Sequence, residues 1–294
     1  MLWAVFTLIA AAAQTARNAM QRELTATLGT VGATHVRFLF GFPFALMFLA
    51  LVLYATGRGL PQAPMAFWPW VIAGALTQIA ATATMLAAMN QRSFVVAYAY
   101  IKTEPVQVAL FGLIFLGDHL TPMTAAAILI GTAGVVVMSL KPGVSQLSTW
   151  RSTAIGLISG SCFALSAISF RGAILALDDA NFVIAATYTL AVGLVLQAAL
   201  LSAWLALRDP AVLRAIAKAW KPSLFAGFMG AFASQFWFLG FAITSAANVR
   251  TLALIEVLFA QGVTRFVFRQ PTTMREGIGI VLVVVGVVLV LWAH

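Results

Sequence analysis

Apolar stretches of about twenty residues, each the length of a membrane span, alternate with short polar breaks along the whole chain. With the breaks placed where Gly, Pro and charged residues cluster, the first half carries apolar segments over residues 2–20, 29–54, 67–89, 94–116 and 122–140. The second half carries five more, over residues 153–170, 182–207, 223–243, 247–268 and 274–292. A helix needs roughly 20 apolar residues to cross the hydrocarbon of a bilayer, so the pattern predicts an all-α integral membrane protein with ten transmembrane helices. The opening MLWAVFTLIAAAA has no basic residues before its apolar run and is read as a retained first span.

The longest polar stretch near the middle, KPGVSQLSTWR, covers residues 141–151 and divides the chain. Residues 1–142 are expected to form a first five-span repeat, 143–152 a cytoplasmic linker, and 153–294 a second five-span repeat. The halves align with Glu104 on Glu256, Thr121 on Thr273 and Gly134 on Gly286, and each of these glycines leads a Val-rich run, GVVVMSL or GVVLVLW. Five spans is an odd number, so the second repeat enters the membrane from the other side. Two inverted five-helix repeats around a central cavity are the construction in which one bundle rocks against another.

Composition strengthens this picture. Hydrophobic residues make up 62% of the chain and charged residues 9%, with a mean hydropathy of +1.00, which excludes a water-soluble domain. The net charge of +9 does not point to nucleic acid, because most basic residues sit in connections beside apolar runs, where they meet lipid headgroups. After the odd-numbered spans lie Arg22, Arg92, Lys141, Arg151, Arg208, Arg214, Lys218, Lys221, Arg265, Arg269 and Arg275, against Arg58 and Arg171 on the other side. The positive-inside rule puts the first set in the cytoplasm and both termini outside. The expected location is a bacterial-type inner membrane.

The chemistry inside the spans is sparse. Lys102, Glu104, Arg250 and Glu256 are expected to form a charged centre near mid-membrane, because such groups are costly in hydrocarbon and turn toward a partner or a wet cavity. On a regular helix Lys102 and Glu104 point about 200° apart and Arg250 and Glu256 about 240° apart, so partners must come from other helices. That centre suits two readings: an ion-pair network that holds spans together, or a site where a basic member meets a substrate carboxylate and a glutamate meets an ammonium or a coupling proton. Gln14, Gln78, Tyr98, Tyr100, Gln235 and the deep Trp237 offer neutral donors and a flat wall for the same cavity. Arg17 reads as snorkelling at the cytoplasmic end of its span, and Arg37 as ion-paired. Pro105 removes a backbone donor in the fourth span and is a candidate hinge.

The fourth span reads AYIKTEPVQVALFGLIFLGDHLT and the fifth AAAILIGTAGVVVMS, and with two five-span halves they resemble the EamA-type branch of the drug/metabolite transporter superfamily. The resemblance covers the whole chain and is carried by Pro105, by Asp118 at the end of the fourth span and by the Gly-rich fifth span. It implies a secondary carrier. Size and pattern are similar to bacterial exporters of aromatic and other neutral amino acids, which implies export of small amphipathic metabolites by alternating access. The partners expected are such a solute and membrane lipid, with the chain a monomer or weak dimer.

Two other classes stay open, a drug or lipophilic-compound efflux carrier and a solute channel. The interior holds four basic residues, Arg17, Arg37, Lys102 and Arg250, against two acids, which argues against lipophilic cations. An enzyme is not expected: His35, His119 and His294 are scattered, and Asp118, Asp178, Asp179 and Asp209 sit in loops. The lone Cys162 excludes an intramolecular disulfide, and neither metal nor cofactor is expected.

Overall fold

The computed structural model describes residues 1–89, 99–139, 146–178, 180–266 and 273–293, and every regular element among them is helical. In chain order these are α1 (Leu2–Leu39), α2 (Phe42–Thr56), α3 (Phe67–Met89), α4 (Glu104–Phe111), α5 (Pro122–Ser139) and α6 (Gln146–Leu175). They continue as α7 (Phe182–Arg208), α8 (Pro210–Lys218), α9 (Trp220–Ile243), α10 (Ala246–Leu252), α11 (Ile255–Phe266) and α12 (Met274–Trp292). Apolar side chains such as Ile114, Val281 and Val288 face outward, while Arg17, Arg37, Glu104 and Glu256 are buried. Helices satisfy their own backbone, so an apolar exterior over a polar interior is the arrangement a bilayer demands.

Among the described residues, eight segments are long and apolar enough to cross a membrane. Two further helical stretches, residues 2–22 and the α10–α11 pair, lie outside that set. The first apolar run was expected to end at residue 20, but helix continues through Gln21 and Leu24 to a reversal at Gly29, whose φ of 67° falls where a side chain would be strained. The reversal is visible in one hydrogen bond. Gln21 donates its side-chain amide to the Ala33 carbonyl at 3.1 Å, although twelve residues of straight helix would separate them by about 18 Å. The two arms of α1 therefore lie side by side, and the second arm runs on toward α2 within the candidate span Glu23–Thr56. Next to this turn the short amphipathic α8 buries Ile216 in a cluster with Leu24, Leu28 and Val36.

The fourth segment is broken where Pro105 implies: Lys102 and Thr103 form a turn, and α4 starts at Glu104. The ninth breaks at Ala253–Leu254 with no proline, as Leu254 N–H turns back to the Thr251 carbonyl. Glu104 follows the first break directly, and Glu256 follows the second after one residue, Ile255.

Helix pairing follows the repeat. The most extensive contacts among the described residues are α1 with α9, α3 with α6, and α5 with α12. Exchanging the halves turns the pairing of first and eighth segments into that of sixth and third, and returns the fifth and tenth to themselves. At the self-paired contact, a Cβ on Gly286 would lie 2.7 Å from Gly131 Cα, and one on Gly134 would lie 2.8 Å from Val283 N. Under the alignment of Glu104 with Glu256 these are the same contact seen twice, and only glycine allows backbones so close.

Candidate functional site

Gln14, Gln78, Lys102, Glu104, Trp237 and Arg250 line one cavity in the interior, together with Arg17 and Arg37. Helices α1, α3, α4, α6, α9 and α10 all contribute to its walls. It is narrow, about 30 Å³ to the centres of water-sized spheres, or room for roughly two waters. A solute the size of an amino acid fits only if the helices move apart.

The ion pairs cross between halves. Arg250 Nε of the second half lies 3.1 Å from Glu104 Oε1 of the first, and Lys102 of the first half pairs with Glu256 of the second. The breaks before α4 and α11 explain the crossing, because each glutamate sits at the start of a helix, turned toward the opposite repeat. Glu256 also accepts from Gln14 Nε2 at 3.0 Å, and Gln14 Oε1 accepts from the Trp237 indole at 3.1 Å. The guanidinium of Arg250 lies over the Trp237 ring, 4.7 Å from its centroid, and over Phe241 at 5.4 Å. Trp237 thus touches the first pair directly and reaches the second through Gln14. Glu256 itself lies in a small adjoining pocket with Pro105, Ala253 and Leu254.

Gln235 and Tyr100 fall outside the cavity, whereas Gln78 lines it. Gln78 accepts from Gln197 Nε2 at 2.9 Å at the cavity edge. Gln235 does not line the cavity; it is buried and donates to Thr187 Oγ1 at 2.8 Å, joining α9 to α7. Tyr100 is half-buried outside the cavity, with its backbone carbonyl directed at α6 near Gly160. Tyr98 lies outside the described residues, as do residues 143–145 of the linker.

Sequence reasoning underrated two residues. Arg17 does not snorkel: it is 1% exposed, turned inward, and donates from Nη2 to the side-chain Oδ1 of Asn18 at 2.8 Å. Arg37 is 3% exposed and has no acidic partner among the described residues; it donates to Thr82 Oγ1 at 3.1 Å and Ser234 Oγ at 3.5 Å. The signal for Arg17 was its spacing, three residues after Gln14 and so on the same helix face. For Arg37 no sequence signal separated a buried cavity residue from a paired one.

At the end of the bundle with the α6–α7 connection, Arg171 pairs with Asp118 Oδ1 at 3.3 Å and donates to the carbonyls of Phe241, at 2.7 Å, and Thr244. One side chain there ties the end of the fourth segment to α6 and α9.

A family model described as EamA-like transporter family matches residues 1–140 and again 144–292. A solved structure described only as the crystal structure of a protein superposes with a TM-score of 0.68 at 18% identity, covering 99% of this chain and 99% of that one. At that identity the likeness shows the fold alone. No curated protein matches the chain. With both halves matched, the chain belongs to the EamA-like transporter family within the drug/metabolite transporter superfamily, two-repeat membrane transporters of small solutes.

Proposed function

We propose that this chain is a carrier that exports small amphipathic metabolites, including aromatic amino acids, by alternating access across ten spans of a bacterial-type inner membrane, with both termini outside. The observation that carries the reading is the crossed pairing of Glu104 with Arg250 and of Lys102 with Glu256 beside a cavity walled by Trp237. Ion pairs that join the two halves make the centre sensitive to their relative position, and the indole and phenyl faces around it suit an apolar side chain. Lys102, Glu104, Arg250, Glu256, Gln14, Gln78 and Trp237 serve as the substrate-facing set in this reading, and Pro105 as the hinge of the fourth segment.

Counterflow in proteoliposomes tests the proposal. Liposomes holding the protein and unlabelled phenylalanine or tryptophan are expected to take up the labelled amino acid transiently and saturably, which a channel does not do. Absence of saturable exchange for every amino acid in a panel, with and without a pH gradient, removes the amino-acid reading. A Pro105→Ala protein with wild-type exchange rate removes the hinge.

A further inference from the structure

Four basic side chains line the cavity and the chain supplies two acids to meet them. Glu104 is committed to Arg250 and Glu256 to Lys102. The other carboxylates are accounted for one by one. Asp118 is held by Arg171, and Glu276 caps α12 through the Thr273 backbone N–H at 2.7 Å. Glu23, Asp178 and Asp209 are exposed, and Asp179 follows Asp178 in the α6–α7 connection. Among the described residues no carboxylate is left for Arg17 or Arg37.

These two arginines are placed as a pair. A Cβ on Gly230 of α9 would lie 3.3 Å from Arg37 Cγ and 3.5 Å from Arg17 Cδ, so both stems cross the same glycine. Their donors are not used up. Arg17 Nη1 and Arg37 Nε are buried without a hydrogen-bond partner among the described residues, and their bonded nitrogens meet only Asn18, Thr82 and Ser234, all neutral. Two buried guanidinium ions with neutral partners are costly in a low-dielectric interior, and an incoming anion is what would offset that cost. Planar donor forks match the paired oxygens of a carboxylate or a phosphate, and an apolar wall beside them favours an organic carboxylate. The walls beside them, Phe163, Phe170, Trp237 and Phe238, suit an apolar body.

We infer that Arg17 and Arg37 form an anion subsite, and that the transported solute is an amphipathic organic anion whose carboxylate docks between them while its apolar body lies against Trp237 and Phe238. The inference rests on the proposal that this cavity is the substrate site. It makes the carboxylate, and not an ammonium, the group the carrier requires.

The test uses the full-length protein in detergent, with its thermal midpoint followed against 3-phenylpropanoate, the matching amide 3-phenylpropanamide, phenethylammonium and inorganic phosphate. The carboxylate is expected to raise the midpoint in a saturable way, and the amide and ammonium to leave it unchanged. Phosphate acting as well as phenylpropanoate would overturn the carboxylate assignment. Arg17→Gln and Arg37→Gln are expected to bind phenylpropanoate about tenfold more weakly or worse, and to raise the midpoint of the ligand-free protein, because each removes an unpaired buried charge. Arg37→Lys is expected to recover part of the response. An equal shift with the amide, or an unchanged carboxylate response in both Gln variants, overturns the inference. The two proposals fail separately. If phenylalanine counterflow persists unaltered in both Gln variants, the carrier reading stands and the anion subsite falls. If carboxylates shift the midpoint but no solute is exchanged, the subsite stands and the carrier reading falls.

Discussion

Trp237 lies beneath the guanidinium of Arg250, 4.7 Å from its carbon, while the same indole donates to Gln14. A cation over a desolvated indole contributes about 0.5–2 kcal/mol. Trp237→Phe keeps a ring face and loses the donor; Trp237→Leu loses both. The Leu variant is expected to unfold at the lower temperature of the two in detergent. Equal midpoints would show that the ring face contributes nothing.

Glu104→Gln leaves Arg250 buried without its counter-ion, and Glu256→Gln does the same to Lys102. Breaking a buried pair from one side costs roughly 3–5 kcal/mol, whereas removing both charges costs far less. A cycle of Glu104→Gln, Arg250→Gln and the double variant is therefore expected to be strongly non-additive, with the double variant the more stable than either single one. If both glutamate variants fold normally and transport at the wild-type rate at every pH, the charged centre has no role in transport.

Glycine at position 286 is required by space alone, since its absent side chain would enter Gly131. Gly286→Ala is expected to cost about 1–3 kcal/mol, the usual effect of overpacking. Gly277 lies in the same helix with open space around it, so Gly277→Ala is expected to stabilise by up to about 1 kcal/mol. Thermal unfolding of the two variants side by side checks the contrast, and equal effects would contradict the close approach of α5 and α12.

Arg171 holds its position through two carbonyls as well as through Asp118. Hydrogen bonds to a charged group contribute about 1.5–3 kcal/mol, more than a partly exposed ion pair of about 1 kcal/mol or less. Asp118→Asn is therefore expected to be mild and Arg171→Leu severe in thermal stability. The reverse order would show that the ion pair, and not the backbone capping of α9, fastens that end.

The basic-residue asymmetry predicts both termini outside. A reporter active only in the cytoplasm is expected to be silent when fused after His294, and an active fusion would invert the topology.

Much of the architecture was legible because lipid imposes one rule on every span, and segments such as residues 67–89 obey it along their whole length. The end of the first arm was not legible. Arg17, Gln21, Arg22 and Glu23 have the composition of a loop, yet helix persists with Arg17 and Gln21 buried and Gln21 bonded to the Ala33 carbonyl on the facing arm. The alignment of Glu104 with Glu256 identified the charged centre, and helix geometry required cross-helix partners. That Arg17 would turn inward and Arg37 lack a carboxylate was not legible, since the sequence reads the first as snorkelling and the second as ion-paired until three-dimensional proximity gives Glu104 to Arg250.

Contact between Gly131 and Gly286 maps onto contact between Gly134 and Val283 when the halves exchange roles, so it sits on the axis that relates them. A rotation that converts one face of a carrier into the other leaves points on its axis where they were. In the proposed alternating-access cycle, helices α5 and α12 would act as a stator, with the helices around the cavity as the moving parts. Spin labels placed across this pair would keep one separation through the cycle and serve as an internal ruler for distances that change.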